Sequence, residues 1–529
     1  MFTQKYFILF VLLITYATGS LAQDNLSIWY SSEDDYVKGS NNTFFGVTGA
    51  GSNTTGSYNT MIGARAGDIN SSGYRNTFLG VYAGYRNTTG NRNVFLGVSA
   101  GLRNTWGFSN TFVGTDAGYN NQSGSGLTFL GESAGYNNTT GKENTFLGGW
   151  AGQDNTYGNN NTFTGYGAGQ KNISGNANSF FGQQAGRYNT SGSMNTFMGA
   201  EAGLSNSTGH NNAFFGYKAG QANTTGYSNV FIGPVAGYSN KGGHDNIFIG
   251  REAGEANIGS YSDYYGNYNL FIGSQAGEKN TWGSDNVYLG HQTGMSGTDA
   301  HNNTFVGSKA GMNTTYSDDN TFIGKAAGMK NTTGYGNTFI GRLAGYNHKT
   351  GDNNTFLGLG AGYANETGAK NVFIGYYAGS IEKGSHKLYI ANSNTNTPLL
   401  YGEFDNQKLT VNGWLGVGTT NNSGDYKLSV NGKVRAKGIT VETNWADFVF
   451  AENYKLRPLS EVESFIKANK HLPDVPSEAQ VAKEGVELGS MQATLLQKIE
   501  ELTLYLLQAH EESKQLRQEV ETLKAAVNK

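Results

Sequence analysis

The chain contains no cysteine. Disulfides, thiolate-held metals and cysteine-linked lipids are therefore excluded as sources of stability or attachment, and backbone pairing or assembly has to serve instead. Proline is almost missing, with 5 residues in 529. Nearly every residue thus keeps a backbone donor, the condition for long uninterrupted hydrogen-bond ladders. Charged residues make up only 15% of the chain and leave a net charge of -3. That balance offers no attraction to nucleic acid or to an anionic membrane surface. Beyond the first residues, no apolar run reaches the ~20 residues needed to span a bilayer as a helix. What is plentiful is glycine, 78 residues, a content that points to a repeat architecture rather than to a series of globular domains.

At the N-terminus, Lys5 precedes an apolar run from Tyr6 to Ile14, and Ser20-Leu21-Ala22 places small residues where a signal peptidase reads. Cleavage after Ala22 is expected, with the mature chain secreted or held on the outer cell surface and no membrane-spanning segment left after cleavage.

From residue 41 onward one motif recurs. Its marker, typified by Asn76-Thr77-Phe78-Leu79-Gly80, ends on a glycine at Gly46 and every 17 residues thereafter to Gly250; the series resumes at Gly273 and continues to Gly375. The result is twenty copies with one irregular step, of 23 residues, between Gly250 and Gly273. Such regularity predicts a solenoid with one coil per repeat.

Two residues before the marker glycine stands Phe in every copy but two, which carry Met61 and Tyr288; the next residue is apolar everywhere except at Thr164. Adjacent strand residues face opposite ways, so one apolar column fills the coil and the other requires a neighbouring chain. Ala-Gly pairs such as Ala83-Gly84 and runs such as Asn87-Thr88-Thr89-Gly90 supply turn residues that tolerate positive φ. The Asn that opens the marker, replaced only at Leu127, falls above its equivalents and predicts a ladder of side-chain amides. At ~4.8 Å per coil the array would extend roughly 90 Å.

The period ends near His386. Short alternating runs follow, and two of them, Lys408-Leu409-Thr410-Val411 and Lys427-Leu428-Ser429-Val430, are closed by Asn-Gly, a hairpin signal. From residue 445 charged residues become dense and the pattern turns helical. Ser460-Glu461-Val462-Glu463 reads as a capping box. The last forty residues carry heptads, with Leu488, Leu495, Leu502, Ala509, Leu516 and Leu523 at d and Ile499, Leu506, Ser513, Val520 and Val527 at a. Leu495, Ile499, Leu502, Leu506, Leu516, Val520 and Leu523 are the expected oligomerisation residues. In a parallel in-register bundle, Glu512 would face Arg517 and Glu519 would face Lys524 across chains, both pairs of opposite sign.

The expected fold is therefore mainly β: a parallel β-roll or β-solenoid of 20 coils with period 17, a small β region and a C-terminal α-helical coiled coil. The segments read as a signal over 1–22, an N-terminal segment over 23–40, the array over 41–385, a β shaft over 386–444, a helical module over 445–487 and the coiled coil over 488–529.

The repeat, N-T-F-L-G followed by A-G and N-T-T-G, resembles the head repeats of YadA-like trimeric adhesins, whose coils form a left-handed parallel β-roll. It is still more similar to repeat arrays in secreted and cell-surface proteins of Bacteroidota. The segment from Trp445 to Gln508, with W-A-D-F-V-F, H-L-P-D-V-P-S and L-L-Q-K-I-E-E-L-T-L-Y, resembles the C-terminal module that often closes such proteins. It sits where phage tail fibres carry an endosialidase-type chaperone. The resemblance implies a homotrimer nucleated by that module. It does not carry over self-cleavage, because the chaperone's Ser-Asp step is missing at the junction Glu442-Thr443-Asn444-Trp445.

No catalytic constellation, cofactor motif or metal-ligand spacing emerges, and the chain is not expected to be an enzyme. The eight histidines are scattered, with His210, His244 and His301 sharing one repeat position. The one irregular step bears Tyr261, Tyr264, Tyr265 and Tyr268, and exposed tyrosines suit contact with a glycan or a surface protein. The leading expectation is an adhesin-like fibre. A tail-fibre-like part of an injection or phage-derived apparatus and an ice- or surface-binding protein are the alternatives, the latter on a column of threonines that Val94, Ala213 and Val230 interrupt.

Overall fold

A computed structural model describes residues 26–29, 39–46, 53–260, 265–421, 426–442 and 447–528. The signal-like segment and Tyr261 and Tyr264 lie outside them. The chain divides into two compact units, Met1–Trp414 and Leu415–Lys529.

The first unit is a parallel β-solenoid with period 17. Each marker forms a short strand that pairs in parallel with the strand one repeat away, Thr60 opposite Thr77, Met61 opposite Phe78 and Ile62 opposite Leu79, and so on to Val372–Ile374. Register is fixed because the middle residue of each strand is buried and a slip by one would expose it. The stack is longer than the twenty markers. Leu26–Trp29 pairs in parallel with Thr43–Gly46, and Lys387–Ile390 pairs in parallel with Val372–Ile374, giving 22 turns. Neither added strand carries the marker phenylalanine and glycine, and the last step shortens to 16 residues between Val372 and Leu388. A periodic count passes over both.

The core is one ring thick. Successive phenylalanines lie fully buried and face to face, with centroids 4.7 Å apart and planes within 3° at Phe129 and Phe146. Alanine and glycine close the coil over each ring. A Cβ added to Gly84 would come 2.7 Å from the Phe78 ring, at a φ of +59°, so only glycine fits. The parallel stack ends where Tyr389 turns edge-on to Phe373 and Tyr401 edge-on to Tyr389.

Two asparagine ladders run beside the rings. In the expected one, the N–H of Asn59 donates to Asn42 Oδ1 at 2.9 Å while Asn59 Nδ2 donates to the Gly73 carbonyl at 2.9 Å. The second comes from the Asn-Thr-Thr-Gly turns: Asn70 Nδ2 donates to Asn53 Oδ1 at 2.8 Å and to the same Gly73 carbonyl at 3.1 Å. Both columns are fully buried over most of their length. Every amide in a continuous run repeats the bonds of the one before, so a polar interior is satisfied at no cost in unpaired groups.

The second ladder is interrupted at His348. Its Nδ1 faces the Asn365 carbonyl at 2.9 Å and its Nε2 the Gly351 carbonyl at 2.8 Å, while Asn331 Oδ1 has no partner among the described residues. A neutral ring donates to only one of those carbonyls. Burial pushes the imidazole below its ordinary value, and the two carbonyls pull it back only in part. The folded chain thus disfavours the protonated ring, and stability falls as pH drops below the unfolded value of about 6.5 toward the lower folded one. His348→Asn restores a rung that can donate to Asn331. We expect it to raise stability by about 1 kcal/mol and to flatten the loss between neutral and mildly acidic pH, read from thermal unfolding of both proteins at the two pH values.

Past the solenoid the two Asn-Gly pairs do not form hairpin turns. Lys408–Val411 instead pairs antiparallel with the upstream strand Leu400–Glu403, through a turn at Phe404-Asp405-Asn406-Gln407. Leu428–Val430 pairs in parallel with Leu415–Val417. In each pair the asparagine reaches back to a neighbouring segment, Asn412 Nδ2 to the Pro398 carbonyl at 2.7 Å and Asn431 Nδ2 to the Gly418 carbonyl at 3.2 Å. Those bonds end a strand rather than reverse it.

The second unit also holds helices α1 (Leu459–Asn469), α2 (Glu478–Glu484) and α3 (Leu488–Val527). The box expected at Ser460 does not form. Pro458 caps α1, so Ser460 already lies inside the helix and its side chain makes no capping bond. The reciprocal box is instead at α2, where Gln480 N–H donates to Ser477 Oγ and Ser477 N–H donates to Gln480 Oε1. No helix among the described residues is long and apolar enough to cross a membrane.

Candidate functional site

The irregular step is built around an unbroken ladder. Asn257 Nδ2 donates to Asn240 Oδ1 at 3.0 Å, Asn280 Nδ2 donates to Asn257 Oδ1 at 3.0 Å, and Phe248 stacks on Phe271 at 4.9 Å. The regular coil holds as far as Asn257 and resumes at Gly266, whose carbonyl takes the amides of Asn246 and Asn257 in the place of the usual turn glycine. Ser260 N–H to the Tyr265 carbonyl, at 3.0 Å, closes the neck of the loop.

Of the four tyrosines expected there, Tyr265 and Tyr268 lie within the described residues. Tyr265 is 47% exposed and meets Trp282 edge-on at 6.1 Å. Tyr268 is 45% exposed and meets His244 edge-on at 5.2 Å. Each ring leans on the solenoid with nearly half its surface open. Tyr268 abuts the end of a column that the sequence pattern did not single out: His210, Tyr227 and His244 stand on consecutive coils and stack at 5.2 and 4.6 Å with planes within 5°, and Asn267 takes their position in the next coil. The histidines alternate with a tyrosine, which concealed the column from a count of histidines alone. Its signal was the shared repeat position.

His301, at the same position, has a different job. Its Nδ1 accepts the N–H of Ser284 at 3.1 Å, which leaves the proton on Nε2, 3.1 Å from Asp299 Oδ1. The ring stitches one coil to the next. Among the described residues, no three His, Cys, Asp or Glu side chains are grouped to hold a metal ion.

A second surface follows the solenoid. The outward residue before the marker glycine is half-buried or exposed in the single chain, and is most open at residues such as Leu79 (42% exposed), Leu130 (45%) and Met198 (46%). The third surface is the heptad seam of α3, where Leu495, Ile499, Leu502, Leu506, Leu516, Val520 and Leu523 are all exposed.

On α3 the chain packs its own module beside that seam without covering it. Tyr454 Oη donates to Glu501 Oε1 at 2.5 Å, Lys498 Nζ bridges Asp474 and Glu501 at 2.8 and 3.0 Å, and Tyr505 Oη donates to the Arg457 carbonyl. These contacts occupy the flank next to the d positions. They leave a groove of about 440 Å³ floored by Leu495, Ile499 and Leu502 and walled by Leu459, Val462 and Leu472.

No protein-family model matches the chain, and no curated protein is significantly similar to it.

Proposed function

We propose that the protein is a secreted or cell-surface fibre of adhesin type, in which three copies associate through α3 and through the outward faces of their solenoids. The observation that carries this reading is the apolar column beside the marker glycines, which recurs on nearly every coil and is only partly covered within its own chain. Soluble single chains rarely leave so extended an apolar surface bare. Summed along the array, such a strip is on the order of the ~800 Å² per partner that a stable interface buries. A second copy suits the column because it presents the same apolar strip at the same rise of ~4.8 Å per coil.

The heptads add a parallel clamp, with Glu512 to Arg517 and Glu519 to Lys524 as favourable pairs across chains. The irregular loop is the proposed contact for a glycan or a surface protein, since its half-open tyrosines present an apolar ring and a polar tip. Sedimentation velocity of the mature chain is expected to give an elongated trimer, and a compact monomer would sink the proposal. Binding to glycan and matrix-protein arrays is expected to fall when residues 259–264 are deleted, with the trimer retained.

A further inference from the structure

One coil departs from the repeat at four inward positions at once. Tyr288 stands for phenylalanine, Thr293 for alanine, Gly297 for the second-ladder asparagine and Ala300 for the turn glycine. The last two changes are sterically coupled. In ordinary coils a Cβ on the turn glycine would collide with the asparagine three residues earlier, 2.2 Å from Asn87 Oδ1 at Gly90, and with the next coil's carbonyl, 2.5 Å from that of Gly107. Gly297 removes the first of these contacts, and Ala300 is fully buried. The next coil obeys the same rule with Thr314 and Ser317, and there the serine hydroxyl takes the Asn331 amide at 3.1 Å, replacing the missing rung.

At Gly297 the repair is incomplete. No amide is present to donate to Asn280 Oδ1, and that oxygen, Tyr288 Oη and Thr314 Oγ1 have no hydrogen-bond partner among the described residues. The three residues are fully buried and belong to successive coils with Gly297 at the middle one. A carbon built on Gly297 would have three oxygens as its nearest neighbours, the Gly294 carbonyl at 3.4 Å, the Thr314 carbonyl at 3.5 Å and Tyr288 Oη at 3.7 Å. A Cβ there would meet those oxygens only at ordinary van der Waals distance. Asn303, beside the Tyr288 hydroxyl, already donates to Asn286 Oδ1 and to the His301 and Ser317 carbonyls.

We propose that this coil contains a binding site for a single internal water molecule, which donates to Asn280 Oδ1 and accepts from the hydroxyl of Tyr288 or Thr314. A buried water holds its place with two to four polar partners, and three oxygens without another partner stand on this coil and its two neighbours. A metal cation is the competing ligand for an oxygen-lined space. No carboxylate lies among the lining groups to offset its desolvation, and Asp318, the nearest that bears on Tyr288, accepts the N–H of His301 at 2.7 Å.

The test is a crystal structure of the full chain at a resolution that shows ordered water, with crystals also soaked in a thallium(I) salt. The expected result is one peak within about 2.7–3.1 Å of Asn280 Oδ1 and of at least one of the two hydroxyls, without anomalous signal. In the triple variant Tyr288→Phe/Gly297→Asn/Ala300→Gly the peak disappears and the new amide donates to Asn280. Should that variant fail to fold, Tyr288→Phe, a ring that most coils already carry, and Thr314→Val each remove one hydroxyl, and the peak weakens in at least one of the two. A direct bond from Tyr288 Oη to Asn280 Oδ1 with no peak, a thallium signal, or a peak unchanged in both single variants would each overturn the assignment.

Discussion

Replacing Phe214 by alanine is expected to destabilise the solenoid by about 3–5 kcal/mol. The ring is fully buried between Phe197 and Phe231, at 4.8 and 4.7 Å, and both stacking contacts are lost with it. Collapse cannot fill the space, because the ladders above and below hold each coil at its spacing. Asn206 and Asn223, for example, are bonded at 2.7 Å across the same pair of coils. The size series separates packing from chemistry. Phe214→Met should cost less than about 1.5 kcal/mol, since Met61 already occupies the same column at 2% exposure. Phe214→Tyr should cost more than methionine despite its closer shape. The hydroxyl of Tyr288 has room because its coil lacks the ladder asparagine, whereas Asn223 is present in the coil of Phe214. In a solenoid the stability is nearly a sum over coils and their interfaces, so hydrogen-exchange protection of the coils on either side is the proper readout, with denaturant unfolding in parallel. Equal protection in the alanine variant and the parent would show that the ring column is not what holds the coils.

The second large effect is on assembly. Leu502→Asp is expected to convert the proposed trimer to monomers, a threefold fall in sedimenting mass, because a carboxylate at a d position would be buried without a partner by each neighbouring helix. Leu507 is the control. It is as exposed as Leu502, 59% against 56%, yet lies off the heptad seam. Leu507→Asp should therefore leave the mass unchanged. If both variants dissociate the protein, general helix damage is responsible; if neither does, α3 is not the clamp. Fibres that stay trimeric after Leu502→Asp but separate when several outward residues such as Leu79, Leu130 and Met198 are made polar would place the contact on the solenoid alone.

Legibility followed periodicity. The marker strands, their parallel stacking and the buried phenylalanine column could be read directly, because a 17-residue step leaves each side chain only the company of its own equivalents. The first asparagine ladder was legible for the same reason. The second was hidden in plain sight, since Asn-Thr-Thr-Gly is also what a turn needs, and only the bond from Asn70 to Asn53 distinguishes a rung from a loop residue. The end turns were missed where the marker residues lapse, at Leu26–Trp29 and Lys387–Ile390. Local signals that compete with distant partners misled most. Asn412-Gly413 has hairpin chemistry, but the Pro398 carbonyl captures the asparagine, and Ser460 has capping chemistry, but Pro458 starts the helix ahead of it.

The sequence by itself determined the repeat, its period, the inward and outward columns of the marker strand and the place of the one irregular step. Each of these is a statement about residues that recur, and recurrence needs no coordinates. Tertiary structure alone decided how the exceptions are absorbed. Tyr288 is tolerated because Gly297 gives its hydroxyl room, Ala300 because Gly297 removes an oxygen, and the six extra residues because Asn257 keeps the ladder intact beneath them. A departure from the pattern can be seen in one dimension, but whether it fits depends on atoms in neighbouring coils, which only the stacked structure brings within contact.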